Sequence, residues 1–312
     1  MTLPPPGLSL TVVVPTLRRP DWLLRCLDGL SRQDRAVDEI VVVCRGDDEE
    51  TLAALTTWRG RVVVATVREP GVLAALAAGV ARATGDVIAF TDDDAVPRPD
   101  WAERLLAHYA RPDVGGVGGR DVVRGEEGPL VPSSFVGRVT RWGRLVGYHH
   151  LGSGPAVDVD VLKGVNMSFR REAVLLPRHL RGSGAQVHNE LALSLAARQR
   201  GWRLVYDPAV LVDHYTAPRF DDDQRGRPSD GAIADEAFNL VWAMLTFRPE
   251  LARRRALYGL LRGDAATPGL VRGAMALVRG EHDVRRRTRP SLQGQWAALR
   301  ALRAEPAEPP GP

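Results

Sequence analysis

The sequence predicts an α/β fold: a Rossmann-like, mainly parallel sheet flanked by helices, with a helical C-terminal extension. Three observations predict it. Short apolar runs alternate with amphipathic segments over the first 95 residues. Each run is continuous rather than alternating, as expected of strands covered on both faces. From about residue 230 the pattern changes to helical stretches rich in Ala, Leu and Arg.

The first run is Leu10-Thr11-Val12-Val13-Val14, which stops at Pro15. Residues 20–32 then place Leu23, Leu24, Leu27 and Leu30 on one helical face, with Asp21 in the first turn. Ile40 to Val43 is a second strand, Asp48 to Trp58 a helix, Val62 to Ala65 a third strand, and Val72 to Ala83 an Ala-rich helix. Val87 to Phe90 is the fourth strand. After Pro97, residues 99–110 read as a helix, and "VGGVGGR" (114–120) as a strand with close backbone approach or a tight turn. Residues 124–160 read as a long irregular segment. Order resumes at 163–174, a helix follows at 188–200, and 202–214 reads as two short strands broken by Asp207-Pro208. Breaks at Pro249, Gly263, Pro268 and Pro290 divide the C-terminal helices. The expected division is an α/β unit over 1–229, the extension over 230–303, and a disordered tail over 304–312.

The chain has 312 residues, 44% hydrophobic and 26% charged, an ordinary globular composition. Cys26 and Cys44, the two cysteines, sit in apolar segments and read as buried thiols in a reducing compartment. Met1 to Pro6 has neither a basic start nor an apolar run, so no secretory leader is expected there. No window of 18 apolar residues exists, so no transmembrane helix is expected. These features point to the cytoplasm. The net charge of +4 is uneven: residues 231–312 hold 13 Arg against 8 acidic residues, while residues 1–230 hold 29 basic and 30 acidic residues. Lys163 is the only lysine.

The fourth strand ends in three carboxylates, Asp92-Asp93-Asp94, within "GDVIAFTDDDAVPRPDW" (85–101). Like charges repel by roughly 1 kcal/mol per pair at about 4 Å even in water. Open α/β sheets keep ligands beyond the carboxyl ends of their strands, and this cluster lies at such an end. A divalent cation such as Mg²⁺ or Mn²⁺ would offset the repulsion. In an extended segment Asp92 and Asp94 would point the same way and Asp93 elsewhere. A solvated acidic turn is the alternative.

Taken together, "VVVPTLRRPDWLLRCLDGLSRQ", the acidic stretch, "KGVNMSFRREA" and "NELALSLAARQRGWRLVYDPAVLVDH" resemble the family 2 glycosyltransferases of the GT-A fold. The resemblance covers residues 9–215. It implies a nucleotide-diphosphate sugar donor, a divalent metal (Mn²⁺ or Mg²⁺) bridging the diphosphate to the protein, and inversion at the anomeric carbon. By the motif match, Asp94 would coordinate the metal, with Asp92 or Asp93 contacting the ribose or a metal-bound water. Val14, Pro15 and Thr16 would line the nucleotide pocket, and Asp47 would touch the base. His214 matches a histidine that completes the metal site in some members; a structural histidine is the alternative. Glu190 stands where a catalytic base usually lies, although the family pattern carries Asp there and Glu is one methylene longer. A helix-terminal carboxylate favoured by the dipole is its plainer reading. Lys163 and Arg120 are candidates for phosphate contact. Ala77-Ala78 departs from an Asn-containing family pattern.

The acceptor implied is a glycan, a lipid-linked molecule or a small molecule. The basic amphipathic tail suits peripheral contact with the inner face of an anionic membrane. Helices packed on the main domain with a solvated basic face explain it as well. A sugar-nucleotide nucleotidyltransferase would want a Gly-rich basic loop after the first strand, and "PTLRRPDW" has no glycine. A nucleic-acid binder would want aromatics among the arginines, and Tyr258 and Trp296 are a thin supply. A non-catalytic sugar-nucleotide binder is the remaining alternative.

Overall fold

The computed structural model describes residues 7–125, 131–218, 220 and 228–304. The tail expected to be disordered lies outside them from residue 305 onward. The first half alternates as β1 (Leu10–Pro15), α1 (Pro20–Ser31), β2 (Glu39–Arg45), α2 (Glu49–Ala54), β3 (Val63–Val67), α3 (Val72–Arg82) and β4 (Val87–Phe90). These four strands run parallel in the order β3-β2-β1-β4.

The continuous apolar runs have a simple use here. Successive side chains of a strand point to opposite faces. Val12 and Val14 therefore pack with Leu23, Leu27 and Leu30 of α1, while Val13 joins Ala75 and Leu76 of α3 on the other face. Cys26 and Cys44 are buried free thiols.

The chain continues through β5 (Ala95–Pro97), α4 (Trp101–Ala107) and β6 (Val114–Val123). The stretch expected to be irregular carries the small hairpin β7 (Arg138–Val139) and β8 (Leu145–Val146), and then β9 (Val157–Val159). β10 (Met167–Arg170), α5 (Asn189–Gln199) and β11 (Arg203–His214) follow. β10 enters the sheet antiparallel between β4 and β6, and β11 then runs parallel to β6. β9 and β5 pair antiparallel with the two halves of β11. The result is a mixed nine-stranded sheet, parallel in its first half.

Residues 202–214 do not form two strands. β11 is one strand whose register against β6 shifts between Asp207 and Leu211. A bulge tolerates a proline because it leaves the ladder unpaired locally, and Pro208 sits there. Gly119 of β6 is needed at the same spot: a Cβ would lie 1.8 Å from the Val210 carbonyl oxygen.

The C-terminal region forms α6 (Asp230–Phe247), α7 (Ala252–Leu261), α8 (Leu270–Arg279) and α9 (His282–Ala304). Ser229 caps α6 by accepting from the Ala232 N–H at 3.1 Å. Leu191 and Leu195 of α5 share a third core with Phe238 and Trp242 of α6 and Ala298 of α9. Pro290 does not break the chain; it lies buried inside α9. A proline costs a helix one hydrogen bond and some strain, and packing of α9 on α6 outweighs that. No described helix is long and apolar enough to cross a membrane.

Candidate active site

The acidic turn lies between β4 and β5, at the carboxyl end of the parallel strands. Thr91 anchors its start by donating to the Val165 carbonyl at 2.9 Å. β5 pairs with the end of β11, with Ala95 opposite His214. That register brings His214, more than a hundred residues away in sequence, to the turn. The Tyr215 N–H donates to the Asp94 carbonyl at 2.9 Å, and the Ala217 N–H donates to the Asp94 carboxylate at 2.7 Å.

One donor atom from each of Asp92, Asp94 and His214 lies within 4.8 Å of the others. Asp92 and Asp94 line a cleft whose near wall is Pro15, Thr16 and Arg19 with Cys44 and Arg45 of β2. The far wall comes from Glu69 to Val72 and from Ser183 to Ala185. Asp93 turns the other way. It is 0% exposed, accepts from Thr16 Oγ1 at 2.7 Å, and pairs with Arg19 at 2.7 Å. Arg19 also stands 3.6 Å from Asp94.

Charge in this turn is balanced by local cations. Burial pushes the Asp93 carboxyl up to about 7, with Arg19 and Thr16 acting in the opposite direction. Burial acts on Asp94 too, but His214, Arg19 and the Ala217 N–H hold it below the ordinary carboxylate range. His214 lies 3.5 Å from Asp94 and 3.6 Å from Asp121, ion-pair rather than tight hydrogen-bond distances. Burial disfavours its charged form, yet the two carboxylates outweigh burial and raise the ring to about 9. Asp121 is fully buried, and although burial opposes ionisation, His214 and Lys163 keep it below its usual value. Lys163 pairs directly with Asp121. A chain of alternating charge thus runs Lys163, Asp121, His214, Asp94, Arg19, Asp93.

The remaining sequence candidates sit around this centre. Val14 is fully buried in the core beneath the cleft. Asp47 pairs with Arg45 at 3.3 Å, and it is Arg45 that lines the cleft. Arg120 donates to the His150 carbonyl at 3.0 Å. Glu190 is the second residue of α5, five positions after Ala185, and is partly exposed. Among the described residues lining the cleft, Asp47, Lys163 and Glu190 do not figure. A larger cavity of about 730 Å³ lies elsewhere, between α8 and α9, and no carboxylate lines it.

Sequence reasoning missed Arg19 and Asp121. Arg19 had a signal: three adjacent acids need a cation, and two arginines follow the first strand at once. Asp121 had a weaker one, a single acid interrupting the apolar continuation of the glycine strand. The 183–185 segment carried none.

The family model for glycosyl transferase family 2 matches residues 11–174, from β1 past β10, with the acidic turn inside the match. The chain belongs to glycosyl transferase family 2. This family 2 member is 26% identical over 220 residues to a glucosyl-dolichyl phosphate glucuronosyltransferase of Haloferax volcanii, covering 66% of the chain and 68% of that protein. It is 30% identical over 227 residues to a pre-mycofactocin glycosyltransferase of Mycobacterium tuberculosis, covering 68% of the chain but 44% of that relative's length. Among solved structures it resembles GalNAc-T7 with UDP, GalNAc and Mn²⁺ (TM-score 0.61, 15% identity, 81% of this chain and 50% of that one). It also resembles the mannosyltransferase PcManGT of Pyrobaculum calidifontis in complex with GDP-Man and Mn²⁺ (TM-score 0.52, 20% identity, 98% and 90%). The fold is therefore the GT-A type that the motifs implied.

Proposed function

We propose that this protein transfers a sugar from a nucleoside-diphosphate donor to an acceptor hydroxyl, with inversion at the anomeric carbon and with a divalent cation, Mn²⁺ or Mg²⁺. The observation carrying the reading is the convergence of Asp92, Asp94 and His214, the two carboxylates of which line the cleft.

The donor set fits such an ion. Two carboxylates with one imidazole suit Mn²⁺ well, and Mg²⁺ is commonly held by one or two carboxylates plus phosphate oxygens. As a ligand His214 would be neutral, giving up the proton on the nitrogen that faces Asp94 and keeping the one that faces Asp121. When bound, the ion would neutralise the charge that develops on the departing diphosphate. GalNAc-T7 and PcManGT, which share the fold, were each solved with Mn²⁺ and a nucleotide.

The chain's own residues account for the rest. Pro15, Thr16 and Cys44 form an apolar-to-polar wall at the ends of β1 and β2 that suits a nucleoside. Thr16 and Arg19 hold Asp93 fixed, which in turn sets the position of its two neighbours. Arg19 and Arg45 supply positive charge along the path of the diphosphate. Lys163 acts through Asp121, orienting His214 rather than touching phosphate. Glu190 serves as the base: the acceptor oxygen bonds to the anomeric carbon, the carbon–oxygen bond to the diphosphate breaks, and the acceptor proton passes to the carboxylate.

The test is a panel of UDP- and GDP-sugars incubated with the protein and Mn²⁺, Mg²⁺ or EDTA, reading release of nucleoside diphosphate. Release should need the cation and fall by at least about 10³-fold in Asp94→Ala. Release that survives both EDTA and that substitution would sink the metal assignment, and a product of retained anomeric configuration would sink the inverting one.

A further inference from the structure

The helix α8 is built inside out. Its sequence is LVRGAMALVR, and the residues it buries against the protein are the small ones, Gly273 and Ala276. Gly273 meets α9 so closely that a Cβ there would lie 2.5 Å from Thr288. The large apolar residues face outward: Leu270 is 56% exposed, Leu277 59% and Val278 90%. A surface helix of a globular protein normally does the reverse. Leu257 and Leu261 of α7, which packs beside α8, and Trp296 of α9 are also exposed. The cavity of about 730 Å³ opens between α8 and α9.

Charge narrows the choice of what covers this face. Residues 252–303 hold twelve arginines, all but the buried Arg255 at least partly exposed, and three acidic residues. Arg285 and Arg289 line the cavity itself, alongside Leu277 and Trp296. A second copy of the chain would bring the same positive surface against itself. A neutral apolar partner would leave the arginines without a role. An anionic bilayer meets both demands: acyl chains take the aliphatic side chains, headgroups take the guanidinium groups, and a tryptophan suits the boundary between them.

We infer that the outer face of α8, with its flanks on α7 and α9, docks on an anionic lipid bilayer, α8 lying in the plane of the interface. This rests on the C-terminal helices alone and does not depend on the transferase reading. Its test uses the full chain, without metal or donor, sedimented with vesicles of phosphatidylcholine or of phosphatidylcholine mixed with phosphatidylglycerol. Partition into the anionic vesicles should exceed that into neutral ones by about tenfold or more and should weaken with salt. Leu277→Asp with Val278→Asp should abolish it. Arg285→Gln with Arg289→Gln should lower binding to anionic vesicles and leave weak binding to neutral ones unchanged. Circular dichroism, read in parallel, reports whether each variant is folded. Equal partition into both vesicle types, no partition, or folded variants that bind as the wild type does would each overturn the inference. So would sedimentation equilibrium showing a dimer that Leu277→Asp with Val278→Asp splits, because the face would then belong to a second copy.

Discussion

Replacing Arg19 by methionine isolates the electrostatic design of the acidic turn. Met keeps most of the aliphatic stem and removes the cation. The guanidinium lies 2.7 Å from Asp93 and 3.6 Å from Asp94, and the Asp93 side chain is 0% exposed. At 2.7 Å, the attraction to Asp93 is about 6 kcal/mol for an effective dielectric near 20. Solvation of the lost arginine in the unfolded chain takes back part of that. Asp93, raised to about 7, can answer the loss by taking up a proton, which caps the cost at about 1.4 kcal/mol for each pH unit above 7. Arg19→Met should therefore lose about 2 kcal/mol in EDTA at pH 8.5, measured by urea unfolding followed through tryptophan fluorescence. Saturating Mn²⁺ should restore much of it. The increment from Mn²⁺ should exceed that of the wild type by at least about 1 kcal/mol, because the guanidinium and the cation compensate the same carboxylates. A variant within about 0.5 kcal/mol of wild type in EDTA would refute the charge argument. Equal Mn²⁺ increments in both proteins would show that the ion binds away from Asp94.

Three more outcomes follow from the geometry. Glu190→Gln should lower turnover by about 10²–10⁴-fold with the donor KM within about twofold, measured by nucleoside diphosphate release with acceptor present; a loss under about tenfold would remove Glu190 as the base. Burial lowers the His149 ring from 6.5 to about 4, so below pH 6.5 the unfolded chain takes up a proton that the folded ring refuses. Stability from this group is full above 6.5 and drains as pH falls towards 4, by about 2 kcal/mol at pH 5; urea unfolding of His149→Gln should show a pH dependence shallower by that amount. Gly119→Ala should cost at least about 3 kcal/mol or prevent soluble expression, because its Cβ would lie 1.8 Å from a backbone oxygen that no rotamer change can move; normal yield with an unchanged unfolding midpoint would contradict the tight pairing of β6 and β11.

The parallel half of the fold was legible because its signal is local. Strands β1 to β4 are short apolar runs between helices of clear periodicity, and a run buried on both faces has one reading. The acidic triplet at the end of β4 was legible for the same reason: strand end and charge repulsion are both visible within a few residues. The second half was harder. β10 contributes only Met167 to Arg170, and nothing in four residues says that they enter antiparallel between β4 and β6. Asp207-Pro208 looked like a break because proline cannot donate to a ladder. It became a bulge because Gly119 on the facing strand leaves room for the displaced backbone.

For the site, the residue types came from the sequence and their partners from the fold. Asp92, Asp94 and His214 are side chains of metal-ligating type, which the sequence shows, but their convergence within 4.8 Å depends on β5 pairing with the far end of β11. Arg19 and Asp121 drew no notice in the sequence, since nothing beside them names the partners that the fold brings to them. Lys163 was a candidate for phosphate contact in the sequence, and only the fold shows that it pairs with Asp121. The C-terminal helices give the sharpest division. Periodicity fixed that α8 is amphipathic, since it depends only on 3.6 residues per turn. Which stripe turns inward depended on what α9 could accept, and against Thr288 only the small side could fit.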